Sequence, residues 1–240
     1  GGDMGNKNKT TKLASVSVFK PLAPLLIAAL AAILVAGSAA WFYQARVADA
    51  EQQKQKASQL AQSIANLTRN HIQAQQQQLA LLTTRSDVDQ ALSTGTVADF
   101  NARHHQWLPD ASLRLVPRRG AETDNFSYTS QELLKEVRLG RSPGPVVIAG
   151  QPSTLILVNA TRNQNGALLL KQPLTTLVQT LQDLAPSGSQ LQVKFAGSNI
   201  LSLPGNSSGT RADATAGPVM VQLTLPPTNS NLFMISAIAV

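Results

Sequence analysis

The most prominent feature of the hydrophobic pattern is an uninterrupted apolar run near the N-terminus. Residues 21–43 contain no charged side chain and end with Trp41, Phe42 and Tyr43. A helix of this length spans about 30 Å, the thickness of the hydrocarbon core of a bilayer, and aromatic residues are typical of the membrane interface. The run therefore predicts a transmembrane helix. The alternative is a signal peptide cleaved after Ala40, although the apolar core of a signal peptide is usually shorter.

Residues 44–85 predict a long membrane-proximal helix, because they are rich in Ala, Gln, Lys and Leu and contain neither Gly nor Pro. Leu60, Ile64 and Leu67 form an apolar stripe at helical spacing. The stripe has two interpretations: the seam of a parallel homodimer, or a face that packs on the rest of its own chain. We expect dimerisation through the membrane-proximal half and packing on a sheet for residues 79–92.

The remaining residues, 86–240, predict one domain of short helices and strands. Helical patterns cover 87–92, 97–107, 131–139 and 173–184, with Ser130 as the expected N-cap of the third. Strand patterns cover 112–116, 146–149, 154–159, 167–171, 190–195, 200–203, 219–225 and 232–240, whereas 205–217 predicts a loop. Because most connections are short, we expect an α+β fold with an antiparallel sheet of about six strands.

The charges before the apolar run determine the expected topology. Four lysines precede the run, against a single acidic residue, Asp3. Positive charge favours the cytoplasmic side. We therefore expect residues 1–20 to be a cytoplasmic basic tail that also contacts membrane lipid. Residues 21–43 would cross the inner membrane and residues 44–240 would be periplasmic. Residues 1–3 are interpreted as a cloning remnant.

Composition narrows the possible partners. The formal charge is +7, but outside the basic tail the acidic and basic residues nearly balance. No basic stripe with interleaved aromatic residues is present, so we expect no nucleic-acid partner. The Ala- and Gln-rich composition indicates a bacterial protein. The absence of cysteine excludes disulfides, thiolate catalysis and cysteine metal sites.

The sequence contains no recognisable catalytic motif. His71, His104 and His105 lack the spacing of zinc ligands. No nucleophile elbow, phosphate-binding loop or dinucleotide-binding loop is present. We therefore expect no metal, no cofactor and no enzymatic activity in this chain.

Ligand binding is better supported, because arginine holds carboxylates through two parallel hydrogen bonds and aromatic residues can form the wall of a small pocket. The candidate ligand-binding residues are Trp107, Arg114, Arg118, Tyr128 and Arg162. The alternative interpretation is that the arginines are solvated turn residues and that Trp107 belongs to the core.

The order of elements over residues 44–240 resembles the single Cache class of bacterial extracytoplasmic sensor domain. This resemblance implies a PAS-like antiparallel sheet with flanking helices and a role in signal transduction. The amino-acid-binding pattern of that class, spaced aromatic residues with an Asp, is not found in this sequence.

Four segments resemble the N-terminal membrane region of long-form bacterial phosphomannomutase/phosphoglucomutase. They are 85–92 (RSDVDQAL), 113–124 (LRLVPRRGAETD), 131–140 (QELLKEVRLG) and 167–181 (ALLLKQPLTTLVQTL). The Ser-His-Asn phosphoserine loop and the Asp-x-Asp-x-Asp metal loop of the mutase are absent. The resemblance implies a longer parent protein whose cytoplasmic catalytic part follows Val240 after a second membrane crossing.

Two functions remain open from the sequence. The first is a membrane-anchored periplasmic sensory or regulatory domain that binds a small ligand or a partner. The second is a purely structural membrane anchor and dimerisation module without a ligand.

Overall fold

The computed structural model describes residues 22–104, 110–120 and 125–228. The chain divides into two units, Gly1–Gln52 and Gln53–Val240, so the boundary falls inside the predicted membrane-proximal helix. The predicted basic tail, Trp107 and the predicted strand at 232–240 lie outside the described residues.

The helices are α1 (Leu22–Leu82), α2 (Ser86–Thr94), α3 (Val97–His104), α4 (Tyr128–Arg138) and α5 (Thr175–Leu184). The strands are β1 (Ser112–Pro117), β2 (Val146–Ile148), β3 (Thr154–Ala160), β4 (Gly166–Pro173), β5 (Gln190–Phe195), β6 (Ser198–Leu203), β7 (Thr210–Ala216) and β8 (Val219–Leu225). The expected α+β class is confirmed.

The first unit contributes the N-terminal part of α1. Its large apolar side chains are exposed, among them Ile27, Leu34 and Val35. Of the helices in the described ranges, α1 is the one that is long and apolar enough to cross a membrane. A signal sequence meets the same criterion, so the membrane crossing stays a prediction.

The first sheet of the second unit has the strand order β1-β4-β3-β2, with every pair antiparallel. Both of its faces are covered, which explains the nearly continuous apolar runs of β3 and β4. On one face, Leu157 and Leu168 belong to the main core that includes α1. On the other, Val158 and Leu169 form a second cluster with Leu133 of α4.

The second sheet has the order β6-β5-β8-β7, again fully antiparallel. Only one face is buried: Leu191, Val193 and Phe195 of β5 belong to the core, whereas Lys194 is only half-buried. The two sheets meet at Ser153, whose Oγ donates a hydrogen bond of 2.8 Å to the backbone oxygen of Ile200.

The part of α1 that lies in the second unit packs along this domain. Its fully buried residues include Ala57, Ala61, Ile64 and Ala65, and Gln62 Nε2 donates a 3.1 Å hydrogen bond to Thr215 O of β7. Residues 79–92 were expected to pack on a sheet, and Leu79, Val88 and Ala91 belong to the core that also contains residues of both sheets.

The expectation of about six strands in a sheet is wrong, because the described residues contain eight strands in two sheets. The helix α5 carries the chain from β4 to β5, and in each sheet the first strand pairs with the last strand. Strand patterns do not specify which strands pair, so the sequence did not separate the two sheets.

Two local predictions also need correction. Residues 210–216, expected in a loop, form β7, because their backbone pairs with β8 and Ala214 and Ala216 join the core. The N-cap of α4 is Ser127 rather than Ser130: Ser127 Oγ accepts a 3.4 Å hydrogen bond from Ser130 N.

The proposed dimer seam lies inside the domain. Ile64 has 0% exposed surface within its own chain, and Leu60 and Leu67 are partly buried against the same core. Packing within the chain covers Ile64 completely but covers Leu60 and Leu67 only in part, and pairing of two chains through this helix stays a prediction. Of the two interpretations of the stripe, packing within the chain is the one that the structure contains.

Candidate functional site

A cavity lies beside β1, the edge strand of the first sheet. Its volume is about 650 Å³. It is bounded by α3, by the outer edge and one face of β1, by part of β4 and by the residues that begin α4. The side chains used below are Asn101, Ser112, Arg114, Phe126, Ser127 and Lys171.

The edge of the cavity is fixed by a contact between α3 and β1. Asn101 Nδ2 donates a 3.1 Å hydrogen bond to Leu115 O, and Leu115 N donates one of 2.7 Å to Asn101 Oδ1. In an antiparallel edge strand, alternate residues present their N–H and C=O groups to the same side. Leu113, which also lines the cavity, therefore presents its peptide groups on this side of β1.

Two cations lie on the same face of the sheet at the cavity. Ser112 pairs with Lys171 and Arg114 pairs with Leu169 in the β1–β4 register, so Arg114 and Lys171 are diagonal neighbours, with backbones roughly 7–8 Å apart. Within the described ranges, no carboxylate lies within 4.0 Å of either side chain. The cavity therefore has positive charge on one wall.

The other wall contains an aromatic ring and the start of a helix. The guanidinium carbon of Arg114 lies 5.5 Å from the centre of the Phe126 ring, a cation–π distance that orients the guanidinium group. Ser127, the N-cap of α4, also lines the cavity. A helix N-terminus adds partial positive charge, so both walls favour an anion.

The predicted ligand-binding residues do not converge on one site. Arg114 lines the cavity. Tyr128 is 76% exposed at the first position of α4 and is not part of the lining. Arg118 and Arg162 lie at the end of the sheet where β1 finishes and β3 turns into β4. Trp107 lies outside the described residues.

Sequence reasoning did not identify Asn101 and Lys171. Lys171 interrupts the apolar run of β4, and a cation at that position is a detectable signal, but only the β1–β4 register brings it beside Arg114. Asn101 is a polar residue on a short helix, and nothing local indicates that its amide bonds a strand 14 residues away.

His71 and His104 do not line this cavity, and His105 lies outside the described residues. Burial lowers the pKa of His71 on α1. His104 stacks on Phe100, with ring centres 4.0 Å apart, and its Nε2 lies 3.7 Å from Asp87 Oδ2. In the part of the chain that the structure describes, no group of three or more His, Asp or Glu side chains is placed to hold a metal ion.

No protein-family model matches the sequence, and no curated protein matches it either. The functional argument therefore rests on the geometry of the cavity and on the sequence patterns.

Proposed function

We propose that this chain is a membrane-anchored sensory or regulatory domain that binds a small anionic ligand, a carboxylate above all, in the cavity beside β1. The observation that carries the proposal is the 650 Å³ cavity whose two cations, Arg114 and Lys171, have no carboxylate within 4.0 Å among the described residues. Small-molecule sites commonly have volumes of about 300–1,000 Å³.

The chemistry of the lining favours a carboxylate attached to a small apolar body. Arg114 offers parallel N–H donors that match the two oxygens of a carboxylate, while Lys171 adds a point charge. Phe126 and Leu169 supply apolar surface, and the peptide groups of Leu113 supply further hydrogen-bonding positions. These charge-assisted contacts would offset the free-energy cost of removing water from a bound carboxylate.

A signal from this cavity would travel through α3 and α2 to α1. Asn101 of α3 bonds the cavity strand, and Phe100 of α3 shares the main core with Val88 of α2 and Leu79 of α1. A ligand changes such an arrangement only if it binds two conformations with different affinity. We expect the ligand-bound conformation to alter the packing of α1.

Membrane anchoring and periplasmic location remain part of the proposal. They are supported by the apolar run at 21–43 and by the lysines that precede it. Protease added to intact spheroplasts should digest residues 44–240 and spare the anchor. Complete protection of these residues, or a mature N-terminus at Trp41, would contradict this topology.

The sequence resemblances extend the proposal to the parent protein. We propose a single-Cache-like sensor at the N-terminus of a longer bacterial phosphomannomutase/phosphoglucomutase, with parallel homodimerisation in the membrane. The support is the resemblance of the four segments 85–92, 113–124, 131–140 and 167–181. Detection by immunoblot of a longer membrane polypeptide with mutase activity would test it, and a native product that ends near Val240 would contradict it.

A ligand screen tests the central claim. The full chain in neutral detergent is heated with a library of small carboxylates, and binding is measured as a rise in the midpoint of unfolding. A ligand present at about 100 times its Kd stabilises the folded state by roughly 2.7 kcal/mol. The double variant Arg114→Gln/Lys171→Gln should abolish the rise. The control Lys54→Gln/Lys56→Gln, which removes two exposed charges on α1, should retain it.

The possible outcomes distinguish the two functions. A carboxylate that stabilises the wild type and the control but not the cavity variant supports the sensory function. If no carboxylate stabilises the wild type, or if the cavity variant responds equally, the ligand proposal fails. The structural anchor then becomes the better account of the chain.

A further inference from the structure

Four arginines lie on three segments that meet at one end of the first sheet. Arg118 and Arg119 follow β1, Arg138 ends α4, and Arg162 lies in the turn between β3 and β4. The backbone N of Arg118 donates a 2.9 Å hydrogen bond to Asn165 O in that turn. Its side-chain Nη2 donates one of 3.3 Å to Arg138 O. These two contacts bring the three segments together.

The charges of this cluster are not neutralised within the described part of the chain. No carboxylate there lies within 4.0 Å of any of the four guanidinium groups. The nearby acid Glu136 is engaged by another residue, Arg141, through two contacts of 3.0 Å. Like charges held together repel one another and raise the local potential. An approaching anion would therefore be attracted to this end of the domain.

The cluster also contains apolar surface. Leu139, directly after Arg138, is 61% exposed. A small cavity of about 20 Å³ lies between Arg118 and Arg138, and its lining includes Pro117, Leu134 and Val137. Positive charge and exposed apolar surface thus lie side by side. Arginines that were only hydrated by solvent would not require an exposed leucine next to them.

We propose that these four arginines and Leu139, together called the arginine surface, form a docking site for an acidic polypeptide segment that also carries apolar side chains. All four cations are arginines, whose guanidinium groups bind carboxylates in pairs of hydrogen bonds and pack on apolar groups. Arginine with adjacent apolar contact is typical of the energetically important part of protein interfaces.

The apolar component separates this partner from other polyanions. A sulfated polysaccharide or a layer of anionic lipid headgroups would satisfy the arginines but would leave Leu139 exposed to water. An acidic segment with Leu or Val between its carboxylates covers both. This surface differs from the ligand cavity: neither Arg114 nor Lys171 belongs to it, although Pro117 lines the cavities at both places, and its partner need not be the ligand of the cavity.

Binding of synthetic peptides to the full chain in neutral detergent tests the proposal. The probe is a fluorescein-labelled peptide of Asp, Glu and Leu, and its anisotropy is followed at low and at physiological salt. We expect saturable binding that weakens as salt increases, because charge contacts are screened. A peptide with Asn and Gln in place of the acids should not bind. Dextran sulfate and phosphatidylglycerol vesicles serve as the competing polyanions.

Three variants make the test specific. Arg119→Gln/Arg162→Gln removes two charges whose side chains make no hydrogen bond to the residues that the structure describes, so folding should be preserved while binding weakens by about tenfold. Lys54→Gln/Lys56→Gln removes the same charge elsewhere and should leave binding unchanged. Leu139→Ser should weaken binding of the acidic Leu-containing peptide but not of dextran sulfate.

The binding measurements can either support or overturn the docking proposal. The proposal is supported if the Arg119/Arg162 and Leu139 variants lose affinity for the acidic peptide while the Lys54/Lys56 control keeps it. It is overturned if the peptide does not bind, or if the Lys54/Lys56 control loses as much affinity, because attraction would then depend on net charge alone. It is also overturned if Leu139→Ser has no effect and either competing polyanion binds as tightly as the peptide.

Discussion

The side-chain amide of Asn101 takes the place of a neighbouring strand for Leu115. Its Nδ2 donates to Leu115 O at 3.1 Å, and its Oδ1 accepts from Leu115 N at 2.7 Å. Both backbone polar groups of Leu115, a residue on the sheet edge, are thus satisfied by a residue of α3. This contact protects the edge from pairing with another chain and holds α3 at the distance that leaves the cavity open.

Replacing Asn101 with Asp should destabilise the domain by about 1–3 kcal/mol at neutral pH, because the carboxylate still accepts from Leu115 N but leaves Leu115 O without a donor. The loss should shrink as pH falls and the new carboxyl group becomes protonated, since it can then donate to Leu115 O. Urea unfolding of the full chain in detergent measures both effects. Asn163→Asp, in an exposed turn, is the matched control, and equal stability of the two variants would contradict the structural role of Asn101.

Replacing Ile64 with Ala should reduce the free energy of unfolding by about 2–5 kcal/mol, because the side chain is fully buried within its own chain. Ile64→Val should cost less, about 0.5–1.5 kcal/mol. Ser63→Ala, on the exposed side of α1, provides the control. Thermal unfolding followed by circular dichroism gives the values. If Ile64→Ala left unfolding unchanged and altered only chain association, the residue would belong to a dimer seam after all.

Gly166 should not accept a side chain. A Cβ built at this position would lie 2.7 Å from Val116 O and 3.0 Å from a methyl group of Leu92, so Gly166→Ala should destabilise the domain by about 1–3 kcal/mol. Gly144→Ala is the matched control, because a Cβ at Gly144 meets nothing within 4 Å. The two variants are compared by urea unfolding, and similar midpoints would show that β1 and β4 do not approach each other as described.

His71 should make the domain less stable in acid. Burial lowers its pKa below the ordinary value of 6.5, so the unfolded chain binds more protons than the folded chain as pH falls through this range. Unfolding is therefore favoured as pH falls from about 6.5 through the lowered pKa, and the effect is constant below it. His71→Gln should remove this contribution. When the pH is lowered from about 8 to about 5, the unfolding midpoint of this variant should fall less than that of the wild type. If the difference between the two midpoints did not change with pH, the assignment to His71 would be contradicted.

Local elements were largely predictable from the sequence. The apolar runs of β3 and β4, separated by Asn165-Gly166, indicated a hairpin, and the spacing of Leu133, Leu134 and Val137 indicated α4. These signals depend on the period of side chains along one segment and on the backbone preferences of Gly and Asn. The strand β7 was missed because its Ala and Thr residues lack the large side chains that make alternation visible.

The candidate site was only partly predictable. Arg114 was recognised as a possible anion ligand from its chemistry, but its neighbour Lys171 was not, because 57 positions along the chain separate two residues that only the β1–β4 register brings together. The arginine surface also depends on contacts between segments that are distant in the sequence. Arg118 and Arg162 were singled out individually, and hydrogen bonds between distant segments place Arg138 beside them.

The sequence by itself determined the apolar run at 21–43, the long helix and most strands, since each is encoded by composition and periodicity within one segment. Only the tertiary structure decided that the strands form two sheets, that Ile64 faces its own domain, and which cations share a surface. The physical reason is that strand pairing and burial are collective. Burial of an apolar stripe is similarly favourable against any apolar face that covers it. The stripe alone therefore does not identify that face, and the fold determines it.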